Sequence, residues 1–272
     1  MSLTLPRWLI LFPSTLGLFL SEIALPNSVA QANSLLQYQP PSDFPVQPIL
    51  ETQVATNESV GDTSTTPVRD GGRGPCDEGA IGLLTALIPA ASGTQPQQWT
   101  LTSNSHPTVW FYIPEAHQVN RATFSLRSAD GEQVFYNRRI KSVQPGIWSF
   151  TLPETEPGLE ENMTYRVYLH LKVYPTADSF ETTCGTFAFV QHRTFTSESS
   201  DIETESLATL YATNGFWLDS LNVLGQAVCN GESRNLWESL LSNEHYPGFQ
   251  PFNPAIIESE IIDCTTASSQ PG

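Results

Sequence analysis

The stretch Thr164-Tyr-Arg-Val-Tyr-Leu-His-Leu-Lys-Val-Tyr174 decides the fold class. Tyr165, Val167, Leu169, Leu171 and Val173 alternate along it with Arg166, Tyr168, His170 and Lys172. A period of two is what a strand with one buried and one open face requires, because successive side chains leave a pleated backbone on opposite sides. Working outward from this segment, the sequence predicts further strands at 108–113, 122–127, 133–140, 146–152 and 182–193. Asp130-Gly131 supplies the positive φ of a tight hairpin turn, and Pro145-Gly146 and Pro157-Gly158 punctuate the later strands. Short strands at regular spacing, without strand–helix alternation, point to an α+β chain with an antiparallel β-sandwich-like body over 75–196.

Beyond residue 197 the apolar period lengthens. Ser200-Asp-Ile-Glu203 fits a capping box. Leu207, Leu210 and Tyr211 form a helical stripe that Asn214-Gly215 closes. Second and third helices are expected at 216–228, with Trp217, Leu221, Leu224 and Val228 on one face, and at 233–241, with Leu236, Trp237, Leu240 and Leu241. Three short amphipathic helices need a surface to bury against. Residues 197–246 are therefore read as a small helical cap packed on the body, and 247–272 as a Pro-rich acidic tail running over the surface.

At the other end, Arg7 precedes an apolar run from Trp8 to Leu20, and Ser28-Val-Ala-Gln-Ala32 offers the small residues a signal peptidase needs. Pro13 interrupts the run, which is too short to span a bilayer, so residues 1–32 read as a signal peptide. No later run approaches membrane-spanning length, and no span is expected in the mature chain. Residues 33–74 carry Pro40-Pro41, Pro45 and Pro48 and a Ser/Thr/acid stretch, the composition of a disordered Pro/Ser/Thr-rich spacer. The expected location is periplasmic or extracellular. In an oxidising compartment the four cysteines, Cys76, Cys184, Cys229 and Cys264, are expected to form two bridges. Of the three connectivities we expect Cys76–Cys184, pinning the start of the body to its last strand, and Cys229–Cys264, tying the tail to a helix.

Twelve Lys and Arg against 28 Asp and Glu give a net charge of -16, which argues against nucleic acid as a partner. No HExxH, GxSxG, P-loop or GxGxxG occurs. Glu115 and His117 are too few ligands to hold a metal, so neither catalytic residues, metal nor cofactor is expected. The aromatic residues are more informative. Adjacent strand residues point to opposite faces, so Trp110 and Tyr112 point away from Phe111. Joined by Tyr168 and His170 on a neighbouring strand, they are the candidate ligand-binding residues, a stacking platform for a sugar or peptide. The competing expectation is that the helices cover Trp110 and Tyr112 with Trp217, Leu221 and Trp237.

Six phrases occur in a fixed order: Arg73-Gly-Pro-Cys76, Leu84-Thr-Ala-Leu-Ile-Pro89, Pro107-Thr-Val-Trp-Phe-Tyr-Ile-Pro114, Pro145-Gly-Ile-Trp148, Leu152-Pro153, and Leu210-Tyr-Ala-Thr-Asn-Gly-Phe-Trp-Leu-Asp-Ser-Leu221. Over residues 70–245 the chain thereby resembles the cyanobacterial exported family catalogued as domain of unknown function 928. The resemblance implies a cyanobacterial source, an envelope or extracellular location, a β-rich body and a helical C-terminal part. It carries no activity, substrate or catalytic residue. The resulting expectation is an exported, non-catalytic binding or interaction module whose partner is an envelope protein or glycan. A secreted hydrolase acting on polysaccharide or peptide and a structural envelope component are the alternatives.

Overall fold

The structure, a computed structural model, describes residues 36–42, 84–90, 98–115, 118–141, 143–174, 177–178, 180–196, 202–242 and 251–264. All of them belong to the unit spanning Leu35–Gly272. The predicted signal peptide, most of the predicted spacer, Cys76, His117 and Ser200 lie outside the described residues.

The chain is mostly β, with helices toward its C-terminal end. Among the described residues, eight strands run in the order β1 (Thr85–Ala86), β2 (Trp99–Thr102), β3 (Thr108–Ile113), β4 (Gln118–Ser128), β5 (Val134–Lys141), β6 (Gly146–Thr151), β7 (Thr164–Tyr174) and β8 (Thr182–His192). They are followed by α1 (Thr204–Thr213), α2 (Trp217–Cys229), α3 (Arg234–Ser242) and the one-turn α4 (Pro254–Ile257). A three-stranded sheet has the order β1-β3-β6, and a five-stranded sheet the order β2-β8-β7-β4-β5. Strand β7 spans the segment that the alternation marks out. Its core face, Tyr165, Val167, Leu169, Leu171 and Val173, is buried.

The body is not antiparallel throughout. Strand β2 pairs with β8 in parallel, Trp99 opposite Phe189 and Thr102 opposite His192. This strand escapes the alternation rule because Trp-Thr-Leu-Thr is only four residues long, too short for its alternation to stand out, and its Thr face is buried as well.

Rings carry the packing between sheets. Phe111 of β3 and Phe150 of β6 meet Phe124 of β4, with centroids 6.1 and 5.1 Å apart. The opposite face of β3 carries Trp110, whose ring meets Trp237 of α3 edge-on at 5.5 Å. Gly225 of α2 permits this approach, since a Cβ there would lie 2.5 Å from the Trp110 ring. The three-stranded sheet is thus covered on both faces, by the five-stranded sheet and by helices. The main strand contacts of the helices fall on β2 and β3.

Three expectations need correcting. First, the capping box is not the start of α1. The helix begins at Thr204, and its N-cap is Glu203, with no side-chain capping bond. The Asn214-Gly215 stop holds, Gly215 having a φ of 84°. Second, part of the predicted spacer is core. Leu36 is 4% exposed and Tyr38 is fully buried. Tyr38 lies edge-on to Trp217 at 5.0 Å, and the Gln39 N–H donates to the Ala212 carbonyl at 3.0 Å. Third, the tail is not a surface strap. Ile256 is 2% exposed, and Ile261 forms a parallel bridge with Ile147 of β6. The Ile147 N–H donates to Glu260 O and the Ile262 N–H to Ile147 O, each at 2.8 Å. Gly146, with φ 130°, leaves the space that Ile262 fills. Cys229, the last residue of α2, is bonded to Cys264 as expected, with Cα atoms 5.3 Å apart. Cys184 is also disulfide-bonded. Its expected partner, Cys76, lies outside the described residues.

Candidate functional site

The alternation reading puts Trp110, Tyr112, Tyr168 and His170 on one platform, and the topology divides them. Trp110 and Tyr112 stand on the three-stranded sheet, 3% and 9% exposed. Tyr168 and His170 stand on β7 of the other sheet. Each pair does point away from its own strand's core residues. Sequence cannot say that β3 and β7 belong to different sheets.

What remains open is the β5–β4 side of the outer face of the five-stranded sheet, since at its β8–β2 side Trp99, Leu101 and Phe189 are buried with Phe216. The composition of the face follows from the register. Arg121 of β4 stands between Lys141 of β5 and Lys172 of β7. Two residues along, Thr123 stands between Arg139 and His170, and next Ser125 between Asn137 and Tyr168. Arg127 then faces Arg166, whose neighbour on β8 is Phe189. Arg121, Arg127, Arg139, Lys141, Arg166 and Lys172 are half of the chain's 12 Lys and Arg residues. They share one side of one sheet in a chain of net charge -16. A local field opposite in sign to the whole is the mark of a surface that receives anions. Glu181 partly offsets this charge by pairing with Lys172 at 3.0 Å, but an exposed pair of this kind is weak.

Arg166 is the unusual member. It is 7% exposed. Its guanidinium lies 5.0 Å from the ring centroids of both Phe187 and Phe189. One amino group, Nη1, donates to the Tyr168 hydroxyl at 2.6 Å. Its Nε and Nη2 have no hydrogen-bond partner. A buried cation held by aromatic faces keeps an electrostatic cost that a nearby anion would relieve. The β4–β5 turn closes over this spot. Arg127 Nη1 donates to Gly131 O at 3.3 Å, and Gly131 adopts a φ of 83°.

The Tyr168 and His170 rings stack at 5.3 Å and 14°. His170 leans across Gly185 of β8, where a Cβ would lie 2.6 Å from its Cδ2. Glycine inside a strand here makes room for a ring. Burial, and then the Arg127 charge, push the His170 pKa below 6.5. The unfolded chain therefore binds this proton more readily, and stability falls as pH drops through about 6.5. Wild type is expected to lose more stability than His170→Gln between about pH 7.5 and pH 5, as read from urea midpoints. Equal losses would contradict this assignment.

Elsewhere, Asp219 of α2 accepts from the Ser103 N–H at 2.9 Å and its hydroxyl at 2.7 Å. Burial raises its pKa against those bonds. The arrangement clamps α2 to the end of β2. His170 and His192 do not meet across the sheet: His170 lies opposite Gly185, whereas His192 lies opposite Thr102. Among the described residues no group of three or more His, Cys, Asp or Glu is placed to hold a metal ion, and no helix is long and apolar enough to cross a membrane.

A family model described as Domain of Unknown Function (DUF928) matches residues 68–249. No curated protein and no solved structure matches the chain.

Proposed function

We propose that this chain, which belongs to the DUF928 family, is an exported, non-catalytic binding module of the cell envelope that works through the outer face of its five-stranded sheet. The observation carrying this reading is the gathering of six cations and a stacked Tyr168–His170 pair on one face of the five-stranded sheet, beside the β8–β2 end where Phe216 at the start of α2 packs on Phe189 and Trp99. Ring contacts of Phe124 with Phe111 and Phe150 support reading the two sheets as the layers of a sandwich-like body. In that arrangement the three-stranded sheet and helices are scaffold, and the five-stranded sheet presents its free side. Export is supported by the Arg7-led apolar run with Ser28-Val-Ala-Gln-Ala32 after it, and by the bridge between Cys229 and Cys264.

The partner on this reading is an anionic component of the envelope, protein or glycan. The experiment is co-sedimentation with an isolated envelope fraction. It compares wild type with a variant in which Arg121, Arg139 and Lys141 are each changed to Gln. Binding that follows the charge of this face supports the reading.

A further inference from the structure

The rows of the open face differ in chemistry, and the order of the rows is informative. Lys141, Arg121 and Lys172 occupy mutually paired positions on three neighbouring strands, so positive charge recurs across the sheet at the strand spacing of about 4.8 Å. That step matches the length of one hexose unit in an extended polymer. The row of Asn137, Ser125 and Tyr168 has no charge; Ser125 is buried beneath it, and the row offers an amide and a phenol. Beyond it lies the Arg127–Arg166 row, with Arg166 buried and incompletely bonded. Cations therefore flank a strip that can hydrogen-bond hydroxyls, with Tyr168 in it and His170 in the adjoining Arg139–Thr123 row.

We propose that this face takes an acidic polysaccharide, a linear sugar polymer with regularly repeated carboxylate groups, laid across the strands over Tyr168 and His170. The proposal rests on the reading of this face as the binding surface and adds the chemistry of its occupant. Pyranose hydroxyls find partners in the Asn137 amide and the Tyr168 hydroxyl, the Tyr168 ring itself being packed by His170, Arg127 and Arg166. The carboxylates meet Lys141, Arg121 and Arg139 on one side and the Arg127–Arg166 field on the other. Duplex DNA carries one charge per about 1.7 Å. The overall charge of -16 opposes so dense a polyanion more strongly than a polymer with one charge per sugar. Base stacking is also poorly served, since Phe189 is 1% exposed and belongs to a small core with Trp99, Leu101 and Phe216.

The test is titration of the whole, disulfide-intact chain with polygalacturonate. Neutral dextran, single-stranded DNA and anionic lipid vesicles form the comparison arms. Wild type is expected to bind polygalacturonate, to ignore dextran, and to weaken by roughly tenfold or more from 50 to 200 mM salt, as several phosphate contacts do in nucleic-acid binding. The Arg121→Gln, Arg139→Gln, Lys141→Gln variant is expected to bind at least roughly tenfold more weakly, about 1.4 kcal/mol. These three residues lie outside the core, and an unchanged far-UV spectrum verifies the fold. No binding to polygalacturonate, equal binding by the variant, or tighter binding to DNA or vesicles overturns the proposal. Should the variant lose envelope binding while wild type ignores polygalacturonate, the polysaccharide is wrong and the binding face stands.

Discussion

Trp217→Ala is expected to destabilise the chain by about 3–5 kcal/mol, the range for removing a large buried aromatic side chain. Trp217 is fully buried at the first position of α2. Its indole N–H donates to the Leu87 carbonyl at 2.7 Å. Its ring meets Tyr38 edge-on at 5.0 Å and Phe252 at 6.2 Å. One side chain thus holds the helix, the β1 segment, the N-terminal arm and the C-terminal tail. Truncation opens a cavity where four segments converge and leaves a carbonyl unpaired, so two costs add. Trp217→Phe retains most of the burial and loses the hydrogen bond, and about 1–2 kcal/mol is expected. Urea unfolding with the disulfides intact measures both. A cost below about 1 kcal/mol for the alanine variant would show that these segments do not depend on one another.

Replacing Cys229 and Cys264 together by Ser is expected to cost about 4 kcal/mol. The bridge closes a loop of sequence separation 35, and the chain-entropy model gives that value for such a loop. The tail has its own anchors, including Ile256 in the core and Arg234 Nη2 donating to Ile257 O at 2.9 Å. The loss should therefore appear first as faster amide exchange at Ile262 and its neighbours, before the sheets respond. Reductant added to wild type should cost more than the double substitution, because Cys184 is bridged as well. A double variant with unchanged unfolding midpoint would mean that the tail is held by its packing alone.

Much of the five-stranded sheet is readable from alternation because β5, β4 and β7 each carry polar residues on one face. Val134–Lys141 and Thr182–His192 lie within a residue of the expected limits. Alternation is uninformative where a strand is very short, as in Trp99–Thr102. It fails again where a few apolar residues act alone. Leu36 and Tyr38 sit among Gln and Pro, and Ile256, Ile261 and Ile262 sit among acids. No period marks such residues, and their burial depends on gaps left by distant elements. The outward direction of Tyr168 and His170 was legible for the same reason as β7 itself.

The cationic face was only half legible. Arg139 and Lys172 fall at outward positions of strands that sequence locates, which was the available signal, whereas Arg121 and Lys141 lie one residue beyond the expected 122–127 and 133–140. Their assembly depends on register, including the shift between Val119 and Arg121 and the one between Leu126 and Arg127. A one-residue slip would have sent each set to the other side. Composition hid the feature too, since a net charge of -16 says nothing about where 12 positive residues collect.

Co-sedimentation with the envelope fraction bears most directly on the role of this face, provided net charge is controlled. The Arg121→Gln, Arg139→Gln, Lys141→Gln variant is compared with Ser206→Asp, Gln226→Glu, Asn235→Asp. The control makes the same change in net charge at exposed helix positions. At low salt, the face variant should lose most of its envelope binding, by roughly tenfold or more, while the helix variant binds like wild type. Equal binding by all three, or equal loss in both variants, would contradict the assignment of function to the open sheet.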